Sequence, residues 1–161
     1  MSENSTLALH TVAQPSGFHL GTRSRNRLRG VHPDIRRVVK LAIQLTPIDF
    51  AVGEGLRSVD RQRDLYRRGA TKTMNSYHLT GDAVDLHALH PDTGKVTWDW
   101  KYYYPIAEAM AKAATTLGIP IKWGGAWRQL SDTETPWEQQ QEYKADGGRF
   151  LDGPHYQRYR T

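Results

Sequence analysis

Apolar residues change their spacing several times along this chain, and each change marks an element. From Ile35 onward Val38, Val39, Ala42 and Leu45 recur at helical intervals. Pro33 and Asp34 suit the start of that helix and Pro47 its end. The run Asp49-Phe50-Ala51-Val52-Gly53 predicts a short buried strand, which delivers Glu54-Gly55-Leu56-Arg57-Ser58 at its end. Ser58 suits the N-cap of a second helix from about Val59 to Arg68, closed by Gly69. Ala83 to Leu86 predicts a strand, and Pro91-Asp92-Thr93-Gly94 turns it into a hairpin partner at Lys95-Val96-Thr97-Trp98. A third helix is marked from about Tyr103 by Ile106, Ala107, Met110, Ala111, Ala114 and Leu117, with Gly118 at its C-terminus. Ile119 to Trp123 and Pro154 to Tyr159 predict two further strands, and Gly124-Gly125 lets the backbone turn before Trp127. Residues 128–148 are polar and aperiodic, which predicts a long loop of the kind that binds, closes as a lid or stays disordered. Residues 1–20 read as a loose lead-in, with Pro15, Ser16 and Gly17 as breakers, and residues 21–161 as one domain.

Length agrees with a single core, since 161 residues suffice for one ordinary domain and are too few for two. Only 38% of residues are hydrophobic, but five Trp, eight Tyr and three Phe supply large apolar surfaces and argue against disorder. With no cysteine there is no disulfide framework, thiolate ligand or thiol nucleophile, so any metal must be held by His, Asp and Glu. The longest apolar runs fall short of the ~20 residues that span a bilayer, so no integral membrane segment is expected. Met1 to Gln14 is polar and shows no secretory signal pattern. The net charge of +5 favours anionic partners, among which charge alone does not choose. Arg23, Arg25, Arg27 and Arg29 alternate as a nucleic-acid arm would, yet no aromatic is interleaved for base stacking, and a solvated or envelope-facing face is the simpler reading.

Candidate chemistry gathers in two stretches. In Ser76-Tyr77-His78-Leu79-Thr80-Gly81-Asp82-Ala83-Val84-Asp85, an imidazole and a carboxylate flank a glycine. The seven-residue interval would put His78 and Asp85 on opposite faces of one straight strand, so a turn or bulge at Thr80-Gly81 is required to bring them together. Ser76 and Thr80 could cap that turn or orient the imidazole. In Asp152-Gly153-Pro154-His155, proline argues against a helix, and Asp152 would lie near a metal held by His155 without ligating it. An acid so placed can take a proton from an attacking water and return it to the leaving amine. The spacing permits a metal site of His78, Asp85 and His155, and equally permits histidines without a task, as expected of His10, His19, His32 and His90. His87 follows Asp85 on the same strand face, as a supporting group or merely a neighbour. Arg57, at a strand-to-helix junction, is either a surface salt-bridge partner or a functional group.

Together these motifs resemble a known family. Ser76-x-His78-x-x-Gly81-x-Ala83-x-Asp85 with Asp152-x-x-His155 is similar to the signature of the M15 zinc peptidases, which include VanY- and VanX-type D-Ala-D-Ala carboxypeptidases and dipeptidases. Adding Leu45 to Phe50, Glu54 to Ser58 and Trp123-Gly124-Gly125-x-Trp127, the chain most resembles phage endolysins that are L-alanyl-D-glutamate endopeptidases, over roughly Ser24 to Gln157. The resemblance implies a small α+β domain of the hedgehog/DD-peptidase type, its antiparallel sheet carrying the zinc site and about three helices packed around it. It implies that His78, Asp85 and His155 bind Zn²⁺, that Asp152 is the general base and acid, and that Arg57 polarises the scissile carbonyl. Many relatives have Glu at the position of Asp152, although the endolysin branch uses Asp. Ser76, His87 and Trp127 are expected around the site as supporting or substrate-contacting side chains. The implied partner is bacterial peptidoglycan, not nucleic acid, for a monomer that waits in the host cytoplasm and reaches the periplasm and cell wall through a separate holin-type pore. The alternatives are a D,D- or L,D-carboxypeptidase, or a basic cell-wall or nucleic-acid binding module with structural zinc.

Overall fold

In the computed structural model, which describes residues 15–160, the chain folds into a five-stranded antiparallel sheet with its two longest helices packed on one face. In chain order the elements are α1 (Thr22–Arg27), α2 (Pro33–Leu45), β1 (Phe50–Glu54), α3 (Val59–Arg67), a 3-10 turn (Tyr77–Thr80), β2 (Ala83–Ala88), α4 (Trp100–Leu117), β3 (Ile121–Trp123), β4 (Arg128–Gln129), α5 (Pro136–Ala145) and β5 (His155–Arg158). The strands lie in the order β1-β2-β5-β3-β4. The last strand in sequence therefore sits at the centre of the sheet, beside β2.

Alternation along the strands separates core from site. Phe50 and Val52 of β1, Val84, Leu86 and Ala88 of β2 and Tyr156 of β5 are buried in the core, with Ile35, Val38, Val39 and Ala42 of α2 and Ile106, Ala107 and Met110 of α4. The intervening residues Asp85, His87, His155 and Gln157 therefore share the opposite face. The expected α2 and α3 form with the predicted caps: Ser58 accepts a hydrogen bond from the Arg61 amide (3.0 Å). His32 proves to be the N-cap of α2, accepting from the Asp34 amide (3.1 Å).

The structure corrects several expectations. Five helices are present among the described residues instead of about three. The 128–148 stretch is not a loop but holds β4 and α5, the helix started by a capping box in which Thr135 and Glu138 exchange backbone and side-chain hydrogen bonds (3.0 and 3.1 Å). It shows no apolar stripe because it docks through buried amides: Gln140 accepts from the Tyr104 hydroxyl (2.6 Å) and donates to the Gly125 carbonyl (3.0 Å), while Gln139 donates to that of Gln129 (2.8 Å). The expected strand at Lys95–Trp98 reduces to one bridge, Leu89 to Val96. The Tyr103 hydroxyl takes the Ala88 amide (3.2 Å) and donates to the Thr97 carbonyl (2.8 Å), and the chain turns there into α4, three residues earlier than expected.

The arginine run forms α1, with Ser24 and Leu28 buried. Arg25 donates to the Leu20 carbonyl and Arg27 to that of Val52 (3.0 Å), so these two guanidiniums are engaged with the protein's own backbone. The lead-in expected over residues 1–20, with His10, lies outside the described residues as far as Gln14. Its last part is pinned: the Ser16 hydroxyl accepts from the Phe18 amide (3.0 Å), and Leu20 is buried. No helix among the described residues is long and apolar enough to cross a membrane.

Candidate metal centre

Strand register assembles the site. Asp85 at mid-β2 lies directly opposite His155 on one side and Glu54 on the other, so three titratable side chains stand in one row across β1, β2 and β5. A register irregularity between Val52 and Glu54 aims Glu54 into that row. His78 arrives from outside the sheet, on the 3-10 turn capped by Ser76, whose hydroxyl accepts from the His78 amide (3.1 Å). Gly81 ends the turn at φ 74°, as the odd spacing requires, and a Cβ there would stand 2.3 Å from the Gly30 carbonyl oxygen. The left-handed angle and the close backbone both call for glycine.

His78, Asp85 and His155 offer ligand atoms that all lie within 4.8 Å of one another, a group that could hold a metal ion. His78 Nε2 is 3.3 Å and His155 Nδ1 3.4 Å from Asp85 Oδ1. A tetrahedral ion with ligands at about 2.0–2.1 Å separates its donors by about 3.3 Å. The remaining ring nitrogens fix the tautomers. His78 Nδ1 lies 2.9 Å from the Gly55 carbonyl, which can only accept, and His155 Nε2 lies 2.8 Å from Gln157 Oε1. Both neutral imidazoles therefore turn a lone pair toward Asp85. Asp85 Oδ1 is itself buried without a hydrogen-bond partner. Three lone pairs converging on one buried point fit a cation, and this nitrogen and oxygen donor set suits zinc.

Charge couples the same three groups, so that a cation or a proton is drawn to the point between them. Burial acts to raise the Asp85 pKa, but the two imidazoles overcome it and hold the carboxyl well below the usual carboxylate range. His155 is pushed up, burial being outweighed by Asp85 beside it. Asp152 is raised by burial and by the negative charge of Asp85, against the opposing pull of His155, His78 and Arg57. It is thus the carboxyl in the site that holds a proton most readily. Its backbone is fixed on both sides, with its amide donating to the Gly124 carbonyl (2.9 Å) and its carbonyl accepting from the His155 amide (3.1 Å).

Arg57 is not a surface residue. Its guanidinium grips Glu54 through two hydrogen bonds (Nε to Oε1, 2.7 Å; Nη2 to Oε2, 2.9 Å), donates through Nη1 to Gln62 (2.7 Å) and reaches Ser76 (3.4 Å). Of its five N–H groups, one on Nη2 has no protein acceptor among the described residues. Its backbone amide donates to the His78 carbonyl (2.8 Å), tying β1 to the turn that carries His78. Burial raises the Glu54 pKa, but Arg57 and the nearby His78 lower it further, so Glu54 stays ionised and holds the guanidinium in place.

The other expected residues have mixed fates. Trp127 lies against His155, with ring centroids 5.4 Å apart, stacks on Phe150 and adopts a left-handed φ of 49°, unusual for a residue with a Cβ. His87 is on the Asp85 face but outside the His–Asp–His group. Its ring covers Gly53, where a Cβ would meet it at 2.2 Å, and meets Trp98 edge-on. Thr80 does not orient His78: it donates to Asp82 (2.6 Å) and accepts from Arg160 (3.1 Å). Glu54, Gln62 and Gln157 escaped the sequence reading. The Glu54-x-x-Arg57 spacing could have exposed the first, and the same-face offset from His155 the last. Gln62 carries no signal, being a glutamine inside a polar helix.

Known proteins are similar to this chain in fold or in sequence. Serratia marcescens ChiX, solved as an L-Ala D-Glu endopeptidase, superposes with a TM-score of 0.68 at 41% identity, over 88% of this chain and 90% of that one. The L-alanyl-D-glutamate peptidase of Escherichia phage T5 is 29% identical over 71% of this chain and 85% of its own length. The peptidoglycan L-alanyl-D-glutamate endopeptidase CwlK of Bacillus subtilis is 32% identical over 63% and 70%. The family model described as phage L-alanyl-D-glutamate peptidase matches residues 16–158, nearly all of the described chain, and the protein belongs to that family.

Proposed function

We propose that this chain is a zinc-dependent endopeptidase that hydrolyses the L-alanyl-D-glutamate bond of the peptidoglycan stem peptide, and that it serves as an endolysin. The observation that carries the reading is the partnerless Asp85 Oδ1 between the two imidazoles, with a carboxyl at Asp152 beside it whose pKa is raised by burial and by the charge of Asp85. His78, Asp85 and His155 would hold the ion. When bound, zinc supplies Lewis acidity and lowers the pKa of a water it holds to about 7. In this reading Asp152 accepts a proton from the attacking water and gives it to the leaving amine. Arg57, locked by Glu54, presents its remaining Nη2 hydrogen and its fixed charge to the carbonyl oxygen as negative charge develops. Ser76 and Gln62 hold that guanidinium, and Gln157 and the Gly55 carbonyl hold the imidazoles in the required tautomers.

A structural zinc normally has four protein ligands, whereas three residues form this group. That favours an enzyme over a binding module. The net charge of +5 suits an anionic wall. In the same reading the protein acts as a monomer and passes from the host cytoplasm to the wall through a separate holin-type pore. Zinc-loaded protein is expected to clear a suspension of purified cell walls, to stop when a chelator strips the metal, and to resume when zinc is restored. Undiminished clearing after complete metal removal would contradict the metal's role. Wall binding without clearing would favour the binding module.

A further inference from the structure

A cavity of about 270 Å³ opens beside Asp152, walled by Trp98 just before α4, by Trp100 and Tyr103 at its start, and by Leu151 and Pro154 from the loop before β5. We propose that it is a subsite for a neutral N-acetylated sugar ring, the muramyl group that carries the stem peptide. The inference rests on the reaction proposed above: the L-alanine of a stem peptide is joined to that sugar, so the ring lies one residue from the bond cut.

Charge and shape both select this occupant. No lysine or arginine lines the cavity, and its acidic group is Asp152, so the carboxylates on the other side of the bond find no counter-ion there. The volume lies just below the range of drug-sized sites and suits one ring. Aromatic faces carry negative charge density and favour the weakly positive C–H groups of a pyranose. Trp98 is 62% exposed yet oriented, edge-on to His87 at 4.8 Å and parallel to Tyr103 within 2°. The indole N–H groups of Trp123 and Trp127 donate to the carbonyls of Gly153 and Phe150, whereas among the described residues those of Trp98 and Trp100 find no protein acceptor. They remain available to an acetamido or hydroxyl oxygen. Gly153 also lines it and lies against the Trp100 ring, which a Cβ at that position would meet at 2.9 Å.

The test compares kcat/KM of the zinc-loaded full chain on an N-acetylmuramyl stem peptide and on the same peptide without the sugar. The wild type is expected to prefer the sugar-bearing substrate by about tenfold, the order of one well-placed aromatic contact. Trp98→Ala should bring the ratio toward one, and Trp98→Phe should keep most of it, separating ring stacking from loss of fold. Equal kcat/KM for the two substrates in the wild type, or an equal loss on both in Trp98→Ala, would overturn the subsite while leaving the reaction intact. Release of D-alanine in place of peptides beginning with D-glutamate would overturn the underlying reaction and the subsite with it.

Discussion

Asp152→Asn is expected to keep its metal and lose wall clearing, with a fall in rate on the order of 10²- to 10⁴-fold, the usual cost of removing a general base. The amide has the shape of the carboxyl and can occupy its place on the loop, whose backbone is held by Gly124 and His155. What it cannot do is take a proton. Asp152 lies outside the His–Asp–His group, so zinc content measured on the purified variant should match the wild type while turbidity assays show little lysis. Near wild-type clearing by Asp152→Asn would remove the residue from its assigned role.

His155→Ala is expected to lose both metal and activity. It deletes one of three donors and leaves Asp85 Oδ1, already without a hydrogen-bond partner, facing His78 alone. The loss in zinc affinity should exceed the roughly 10- to 100-fold that follows removal of a group that merely supports a ligand. The central pairing of β5 with β2 and β3 uses the backbone and does not depend on the imidazole. A cooperative thermal transition should therefore persist in the variant, and zinc titration followed by a melting curve separates loss of the site from loss of the fold. Stoichiometric zinc binding by His155→Ala would place the metal elsewhere.

These two variants divide the site along a line that the sequence drew in part. The interval between His78 and Asp85 demanded a turn at Gly81, and the turn is there, because a left-handed residue with a backbone oxygen 2.3 Å from its missing Cβ can only be glycine. The helix over 33–45 was legible because its apolar stripe meets a capped start. Helix α5 was not, because Gln139 and Gln140 bury amides where a stripe of leucines would have announced it, and its one local signal was the Thr135–Glu138 capping box. The Lys95–Trp98 strand was misread because periodicity cannot see that the Tyr103 hydroxyl, from the next helix, takes the Ala88 amide.

Long-range pairing explains the rest. Arg57 looked like a surface residue in its own segment, since nothing local reveals that the chain brings Ser76 and the carbonyl of His78 to it. Cross-strand register set Glu54 opposite Asp85, and register is a property of the folded sheet. The resemblance gave roles to the candidate site residues and none to Glu54, Gln62 and Gln157, whose side chains hydrogen-bond to Arg57 and His155.

The most direct measurement is the identity of the bond cut. Purified murein digested with the zinc-loaded protein and resolved by mass spectrometry should yield stem peptides beginning with D-glutamate and glycan strands still carrying L-alanine. Release of single D-alanines with the stems left attached would instead make the protein a carboxypeptidase and contradict the account.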